Sequence, residues 1–135
     1  VCGHSDCGAM RAVLSQGIEE RMPTVAQWLK FADTPRHLLM SEAGTLDPHA
    51  RLSRLIKLNV LSQIEHLKTH PSVAVRVARG EVTVHGWVYD IEHGCVDAYD
   101  QTTRSFQPVD RESTAHATTW QHLHDHHHEH DGVEL

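Results

Sequence analysis

The sequence predicts an α/β fold with a mainly parallel sheet, helical crossovers and an antiparallel hairpin at one edge. Residues 1–11 have the pattern of a buried strand end, a tight turn and the start of a helix. A long amphipathic helix is predicted over 48–70, and two short strands joined by a turn are predicted after it. A helix that connects two parallel strands is the usual crossover of such folds, so these three stretches together indicate the class.

The first helix is predicted to begin near Gly8 and to lie against the sheet. Met10, Val13 and Leu14 recur at helical spacing, which Gly17 interrupts. We therefore expect one apolar stripe on a short helix directly after the first strand.

A second short helix is predicted over 24–32, with Thr24 as its N-cap. Trp28 falls on the apolar face of this helix and is expected in the core, because an aromatic residue at helical spacing is usually packed. Residues 33–44 contain Pro35 and lack a sustained period. That stretch is predicted to be a loop or a broken helix.

The longest helix is predicted to begin after Asp47, an N-cap, with Pro48 in its first turn. It should end near His70, where the apolar period stops before a proline. Asn59 and Gln63 fall on the apolar side of this helix. We expect their amides to be satisfied by the backbone or to lie at a subunit contact.

The segment 72–79 is ambiguous from its residues alone. Its valines alternate as in a strand, whereas Gly80 suits the end of a short helix. Strands are predicted over 82–89 and 95–99, joined by a short turn as a hairpin.

Three residues of this hairpin region are given structural rather than chemical parts. By residue type Cys95 is a candidate third metal ligand, but a small buried thiol in an edge strand is the stronger prediction. His85 and Gly86 are expected to serve packing and a close approach of backbone.

Composition limits the classes of protein. A chain of 135 residues with 39% hydrophobic residues provides for one domain and one core. A formal charge of −6 argues against nucleic acid or an anionic membrane surface as partner, and no apolar run approaches the roughly 20 residues of a membrane span. Three cysteines without regular spacing fit a reducing compartment, so cytoplasm is the default localisation.

The chain is predicted to divide into a folded part, 1–108, and a polar, histidine-rich tail, 109–135. Between His122 and His130 the tail carries six histidines in nine residues. Nothing in this composition is patterned to form a core, so disorder is predicted. The run can bind nickel, copper or zinc loosely, but a solvated tail is the favoured interpretation.

His4 and Cys7 are the candidate metal ligands. A neutral imidazole and a thiolate three residues apart suit zinc, which takes nitrogen and sulfur ligands in a tetrahedral shell. If Cys7 lies in the first turn of the helix that begins near Gly8, free backbone N–H groups and the helix dipole favour its thiolate form.

The stretch Val1-Cys2-Gly3-His4-Ser5-Asp6-Cys7-Gly8-Ala9-Met10, taken with Val84-His85-Gly86-Trp87 downstream, resembles the β-class carbonic anhydrases. The resemblance covers residues 1 to about 100. It implies that His4 and Cys7 are zinc ligands, that 72–79 is helical, and that the working unit is a homodimer or a multiple of it. It also implies reversible hydration of carbon dioxide to bicarbonate, in which zinc lowers the pKa of bound water to about 7.

One part of the family pattern does not occur in this chain. The family's third protein ligand is the cysteine of a Cys-x-Asp-x-Arg motif whose aspartate and arginine form a catalytic dyad. We expect that motif upstream of Val1, so the chain is interpreted as the C-terminal part of a longer polypeptide that is a poor catalyst alone. Asp6 lies inside His-x-x-Cys and receives no catalytic role.

Three other functions remain open at this point. A hydrolase for carbon disulfide or carbonyl sulfide would resemble the same family and use the same two ligands. A non-catalytic interaction module stabilised by zinc would bind the metal in a closed four-ligand shell. A thiol redox protein that uses Cys2 and Cys7 is the least favoured, because their spacing is not Cys-x-x-Cys and the intervening His4 suits metal better.

Overall fold

A computed structural model describes residues 1–42 and 44–109 of the chain. Its strands and helices, in chain order, are β1 (Cys2–His4), α1 (Gly8–Leu14), α2 (Ile18–Arg21), α3 (Pro23–Leu29), a 3₁₀ turn (Lys30–Ala32), α4 (Asp33–Ser41), α5 (Pro48–Lys68), α6 (Pro71–Ala78), β2 (Trp87–Asp90), β3 (Cys95–Asp100) and β4 (Ser105–Pro108). The predicted division at 108/109 stays a prediction, because residues 110–135 lie outside the described part.

The strands of the described chain form one mixed sheet in the order β1-β2-β3-β4. β1 pairs with β2 in parallel, with His4 opposite Tyr89, and the helices α1 to α6 form the crossover between these two strands. β2, β3 and β4 pair in antiparallel order. The α/β class, the helical crossover and the antiparallel edge are therefore confirmed, and the antiparallel part extends by a strand, β4, that the sequence analysis did not predict.

Helix α5 covers one face of the sheet. A Cβ on Gly3 would lie 2.9 Å from Val60 Cγ2, and one on Gly86 would lie 2.7 Å from Ile64 Cδ1. The close backbone approach predicted at Gly86 is thus confirmed, and Gly3 provides a second one. Since side chains alternate along a strand, the neighbours of these glycines point to the opposite face of the sheet.

The core forms along α5 in two clusters of buried side chains. Leu55 and Ile64 are fully buried, one in each cluster. The first cluster joins α1, α4 and the N-terminal half of α5, and it comprises Met10, Ala32, Leu39, Leu52, Leu55, Ile56 and Leu58. The second lies beneath the sheet and comprises Val60, Ile64 and Val84.

Several helix predictions are corrected. The helix predicted to start with a Thr24 cap begins at Pro23, because proline is favoured in the first turn and moves the cap to Met22. Trp28 is 61% exposed rather than in the core, since α3 turns Ala26 and Leu29 inward instead.

Residues 33–41 form a regular helix, α4, where a loop or broken helix was predicted. Pro35 lies in its first turn, where backbone N–H groups have no partner within the helix, so the missing N–H is not a loss. Proline at this position is compatible with the helix rather than breaking it.

The strand predicted over 82–89 begins later, at Trp87, which is opposite Cys2 in β1. Val84 is nevertheless buried in the second cluster without being part of a strand. Cys95 is exposed rather than buried, because it lies at the outer end of β3 beside the turn. The helix implied for 72–79 is confirmed as α6.

The amides predicted to be satisfied on the apolar side of α5 have partners. Gln63 Nε2 donates to the Phe31 carbonyl oxygen at 3.2 Å and to Asn59 Oδ1 at 3.1 Å. Within the described residues, no helix is both long and apolar enough to cross a membrane.

Candidate metal centre

The candidate ligands lie on the loop between β1 and α1. His4 is the last residue of β1, and Cys7 is the N-cap residue of α1, one position before the first turn in which it was predicted. Between them Asp6 adopts a left-handed conformation with φ of 57°. Asp is one of the few residues that tolerate this region, and the conformation reverses the chain between strand and helix.

His4 lies on the face of the sheet opposite α5, and it is exposed. Its Nδ1 atom is 2.8 Å from the carbonyl oxygen of Ser5. When Nδ1 carries the proton and donates it to this carbonyl, the lone pair of Nε2 is free to bind a metal. Metal-binding histidines typically donate their other ring N–H to a carbonyl or carboxylate in this way.

Cys7 is half-buried against the first core cluster. Its side chain makes no capping hydrogen bond to α1, whereas its backbone carbonyl accepts the first helical bond from the Arg11 N–H at 3.0 Å. The backbone of Cys7 is thus fixed by the helix start while its sulfur is not engaged in a cap.

Ser5 ties the loop to the end of β2. The Ser5 N–H donates to the Tyr89 carbonyl at 2.8 Å, and the Ile91 N–H donates to Ser5 Oγ at 2.9 Å. The sequence alone indicates no role for Ser5, apart from its place between the two candidate ligands.

Asp6 forms an ion pair with Arg11, at 2.6 Å between Oδ1 and the guanidinium nitrogen. Both side chains are largely exposed, at 74% for Asp6 and 66% for Arg11. A surface pair of this kind contributes little to stability. Its geometry is that of a loop contact and gives Asp6 no new chemical role.

The described residues contain no group of three or more His, Cys, Asp or Glu side chains placed to hold a metal ion. Cys2 is exposed, with its sulfur 3.3 Å from the carbonyl of Gly3. Cys95 is two strands away from His4, about 10 Å across a sheet, and alternation places it on the other face. The structure therefore brings neither of the other cysteines to the candidate pair.

A polar cleft of about 420 Å³ opens beside the loop on the α5 side of the sheet. Ser5, Asp6, His49, Lys57 and Asp97 are among the residues that line it. Lys57 and Asp97 form an ion pair across it at 3.4 Å. Neither His4 nor Cys7 lines this cleft, so it is distinct from the candidate metal ligands.

The β2–β3 turn at the rim of this cleft contains an Asp–His pair. His93 Nδ1 lies 2.8 Å from Asp90 Oδ2. The hydrogen bond from His93 lowers the pKa of Asp90, with the backbone N–H groups of His93 and Glu92 adding to the effect. The same bond to Asp90, with the nearby charges of Asp90 and Glu92, raises the pKa of His93.

The donor chemistry of the loop fits zinc, because it offers one imidazole nitrogen, already oriented through its other nitrogen, and one sulfur. These two donors do not make a complete shell by themselves, since zinc sites in proteins use at least three protein ligands.

Comparison with known proteins identifies relatives of this chain. A carbonic anhydrase family model matches residues 1–96. The chain is 42% identical to carbonic anhydrase 1 of Escherichia coli O157:H7 over 113 residues, which are 81% of this chain and 49% of the relative. It is 44% identical to a carbonic anhydrase of Pseudomonas aeruginosa over 106 residues, 78% of this chain and 48% of the relative. The chain thus spans about half the length of these curated relatives.

Solved structures agree with the sequence matches. The β-carbonic anhydrase CcaA superposes with a TM-score of 0.78 at 35% identity, over 83% of this chain and 51% of that one. A tetrameric β-carbonic anhydrase of Sordaria macrospora gives a TM-score of 0.58 at 28% identity, over 72% and 49%. The family model covers most of the chain, and the fold agrees with it. This chain belongs to the carbonic anhydrase family, in its β class.

Proposed function

We propose that this chain is the zinc-binding C-terminal part of a carbonic anhydrase that interconverts carbon dioxide and bicarbonate. The observation that carries the proposal is the β1–α1 loop, which presents His4 with one ring nitrogen already bonded and Cys7 with its sulfur outside the helix cap. Membership of a family whose curated relatives are named carbonic anhydrases supports the reaction.

In this proposal His4 Nε2 and Cys7 Sγ hold the zinc, and a third ligand comes from a Cys-x-Asp-x-Arg motif upstream of Val1. When bound, zinc supplies Lewis-acid chemistry that makes water a nucleophile at neutral pH. The chain's own residues orient the ligands: the Ser5 carbonyl holds His4, and the core behind Cys7 fixes that residue.

The similar solved structures also support a homo-oligomer, since one of them is a tetramer. Large apolar side chains are exposed on the helical side of the described chain, among them Trp28, Phe31 and Met40. Such side chains are typical of surfaces that a partner covers. Cytoplasm remains the proposed compartment.

The 135-residue chain alone should be a poor catalyst, because its described residues offer two zinc donors and the family's Asp/Arg dyad is expected upstream. The outer edge of β1 is also unpaired in the described sheet, which favours association of chains. We expect carbon dioxide hydration, measured by stopped flow, only when the upstream part is supplied in cis or as a separate chain.

Three outcomes would change the proposal. Substantial hydration by the isolated chain would contradict the need for an upstream part and would direct the search for a third ligand to Cys2, Cys95 and the histidines. Faster turnover of carbon disulfide or carbonyl sulfide by the completed protein would replace carbon dioxide as the substrate. If the completed protein binds zinc but turns over neither carbon dioxide, carbon disulfide nor carbonyl sulfide, the non-catalytic interaction module would be favoured.

A further inference from the structure

Ser5 lies between the two candidate ligands, and each of its three polar groups has a partner. Its N–H donates to the Tyr89 carbonyl at 2.8 Å, and its Oγ accepts from the Ile91 N–H at 2.9 Å. Its carbonyl oxygen lies 2.8 Å from His4 Nδ1. Two of the contacts therefore reach β2 and the turn after it, and the third reaches a candidate ligand.

The contacts to β2 and to the turn after it hold Ser5 beyond the last residue pair of the β1–β2 ladder. Pairing between β1 and β2 ends at His4 opposite Tyr89. The Ser5 N–H bonds to Tyr89, just before Asp90, and the Ser5 hydroxyl bonds to Ile91, just after it. These two partners lie 84 and 86 positions further along the sequence. The N–H bond holds the peptide that joins His4 to Ser5, and the hydroxyl bond holds the Ser5 side chain. Together they fix the Cα of Ser5, from which the next peptide, with the Ser5 carbonyl, departs.

The orientation of that peptide matters because the loop bends sharply at the next residue. Asp6 has φ of 57°, a conformation that non-glycine residues rarely adopt and that the surrounding contacts must hold. A peptide that rotated at this point would turn the Ser5 carbonyl away from His4.

We propose that Ser5 is a positioning residue of the metal centre: its hydroxyl, bonded to the Ile91 N–H, holds the Ser5 carbonyl on His4 Nδ1 and so keeps Nε2 as the metal-binding nitrogen. Neutral imidazole has one N–H, so a carbonyl that takes the Nδ1 proton selects the tautomer whose Nε2 lone pair is free. Ser5 acts through His4 and touches neither metal nor substrate.

The hydroxyl is the part of Ser5 that a substitution can remove. Ser5→Ala keeps the N–H and the carbonyl and loses only the bond to Ile91. Ser5→Thr restores a hydroxyl at the same position. Ser41→Ala is a matched control, because the Ser41 hydroxyl also makes one backbone bond, to the Leu38 carbonyl at 2.7 Å, at the end of α4.

The inference rests on the proposed metal site, and cobalt(II) tests both in the complete protein, including any sequence upstream of Val1. Cobalt bound by thiolate gives a sulfur-to-metal charge-transfer absorption. Residues 110–135 contain no cysteine, so the histidine-rich tail cannot produce this band. Cys7→Ser should diminish the band, and a band unchanged by Cys7→Ser would refute the ligand assignment itself.

With the band assigned to Cys7, titration gives the cobalt affinity of each variant. We expect Ser5→Ala to weaken it about tenfold, as loss of groups that orient a ligand typically does. Ser5→Thr should recover most of the loss, and Ser41→Ala should bind like the parent protein. Parent-like affinity in Ser5→Ala would overturn the inference while leaving the metal site intact.

A metal-free measurement separates positioning from a general loss of structure. Long-range ¹⁵N–¹H correlation spectra report which nitrogen of His4 is protonated. In the parent protein and in Ser5→Thr the Nδ1–H tautomer should dominate, whereas Ser5→Ala should populate both tautomers with an unchanged fold. A single Nδ1–H tautomer in Ser5→Ala would also overturn the inference.

Discussion

The two faces of the sheet differ in how they are covered, although the same strands form both. On the α5 face Gly3 and Gly86 let the helix approach to contact distance, and fully buried side chains such as Ile64 fill the space. On the opposite face His4 and Trp87 remain exposed. The comparison teaches that packing on one face fixes a strand whose other face is left free to carry chemistry.

The difference follows from alternation along β1. Gly3 points toward α5, so Cys2 and His4 on either side of it point away. Gly3, which has no side chain, thus allows the close approach of α5 directly beside His4. In this way the contact of Gly3 with α5 positions His4 without touching it.

The largest effect on stability should come from truncating the covered face. Ile64→Ala removes a fully buried side chain and should lower the free energy of unfolding by about 2–5 kcal/mol, because it leaves a cavity. Ile91→Ala makes the same chemical change at a residue that is 57% exposed, and it should cost well under half as much. Urea unfolding of both variants measures the difference. Equal losses in the free energy of unfolding would contradict the described difference in packing between the covered core and the exposed turn.

A smaller effect is expected from filling the close approach beneath β1. A Cβ at Gly3 would meet Val60 Cγ2 at 2.9 Å and Ile56 Cγ2 at 3.0 Å, two methyl groups on stiff, β-branched side chains. Gly3→Ala should therefore cost about 1–3 kcal/mol by overpacking.

Gly8 offers the control for that substitution, since nothing lies within 4 Å of a Cβ built on it and its φ is not positive. Gly8→Ala should be neutral or slightly stabilising. Thermal unfolding compares the two variants, and a Gly3→Ala protein as stable as Gly8→Ala would mean that α5 does not hold β1 as closely as described.

The smallest effect concerns the exposed turn between β2 and β3. The pKa of His93 is raised by Asp90, so its contribution to stability is complete below the ordinary histidine pKa and is lost as pH rises through the raised value. The pKa of Asp90 is lowered by His93, so its contribution is present above the ordinary aspartate pKa and is lost as pH falls through the lowered value. The Asp90–His93 pair should thus contribute most to stability at pH values between the ordinary pKa of aspartate and the ordinary pKa of histidine.

NMR titration of His93 checks this pair directly. In Asp90→Asn the pKa of His93 should fall toward the usual value near 6.5. Asp97→Asn is the control, because Asp97 pairs with Lys57 instead. An unchanged His93 pKa in Asp90→Asn would show that the hydrogen bond at 2.8 Å does not persist in solution.

Much of the fold could be predicted from local patterns. Asp47 caps α5 by accepting from the N–H groups of His49 and Ala50, as its position before Pro48 indicated. Periodicity does not say which of two adjacent stripes a short helix buries, so Trp28 was assigned to the core although Ala26 and Leu29 take that place. The presence of a helix was therefore easier to predict than which of its side chains are buried.

The donors of the candidate site could be proposed from the sequence, whereas the contacts that support them could not. His4 and Cys7 lie three positions apart and belong to a recognisable motif. The partners of Ser5, Tyr89 and Ile91, are more than 80 residues away, and only the parallel pairing of β1 with β2 brings them together. A contact set by sheet register leaves no signature in the local sequence.

The most direct test of the central claim is the zinc content of the complete protein after the histidines between His122 and His130 are replaced, so that the tail cannot retain metal. The parent protein and Cys95→Ser, which removes an exposed thiol outside the loop, should each carry about one zinc per chain. Cys7→Ser should lose it. Stoichiometric zinc retained by Cys7→Ser would contradict the assignment of His4 and Cys7 as the metal ligands.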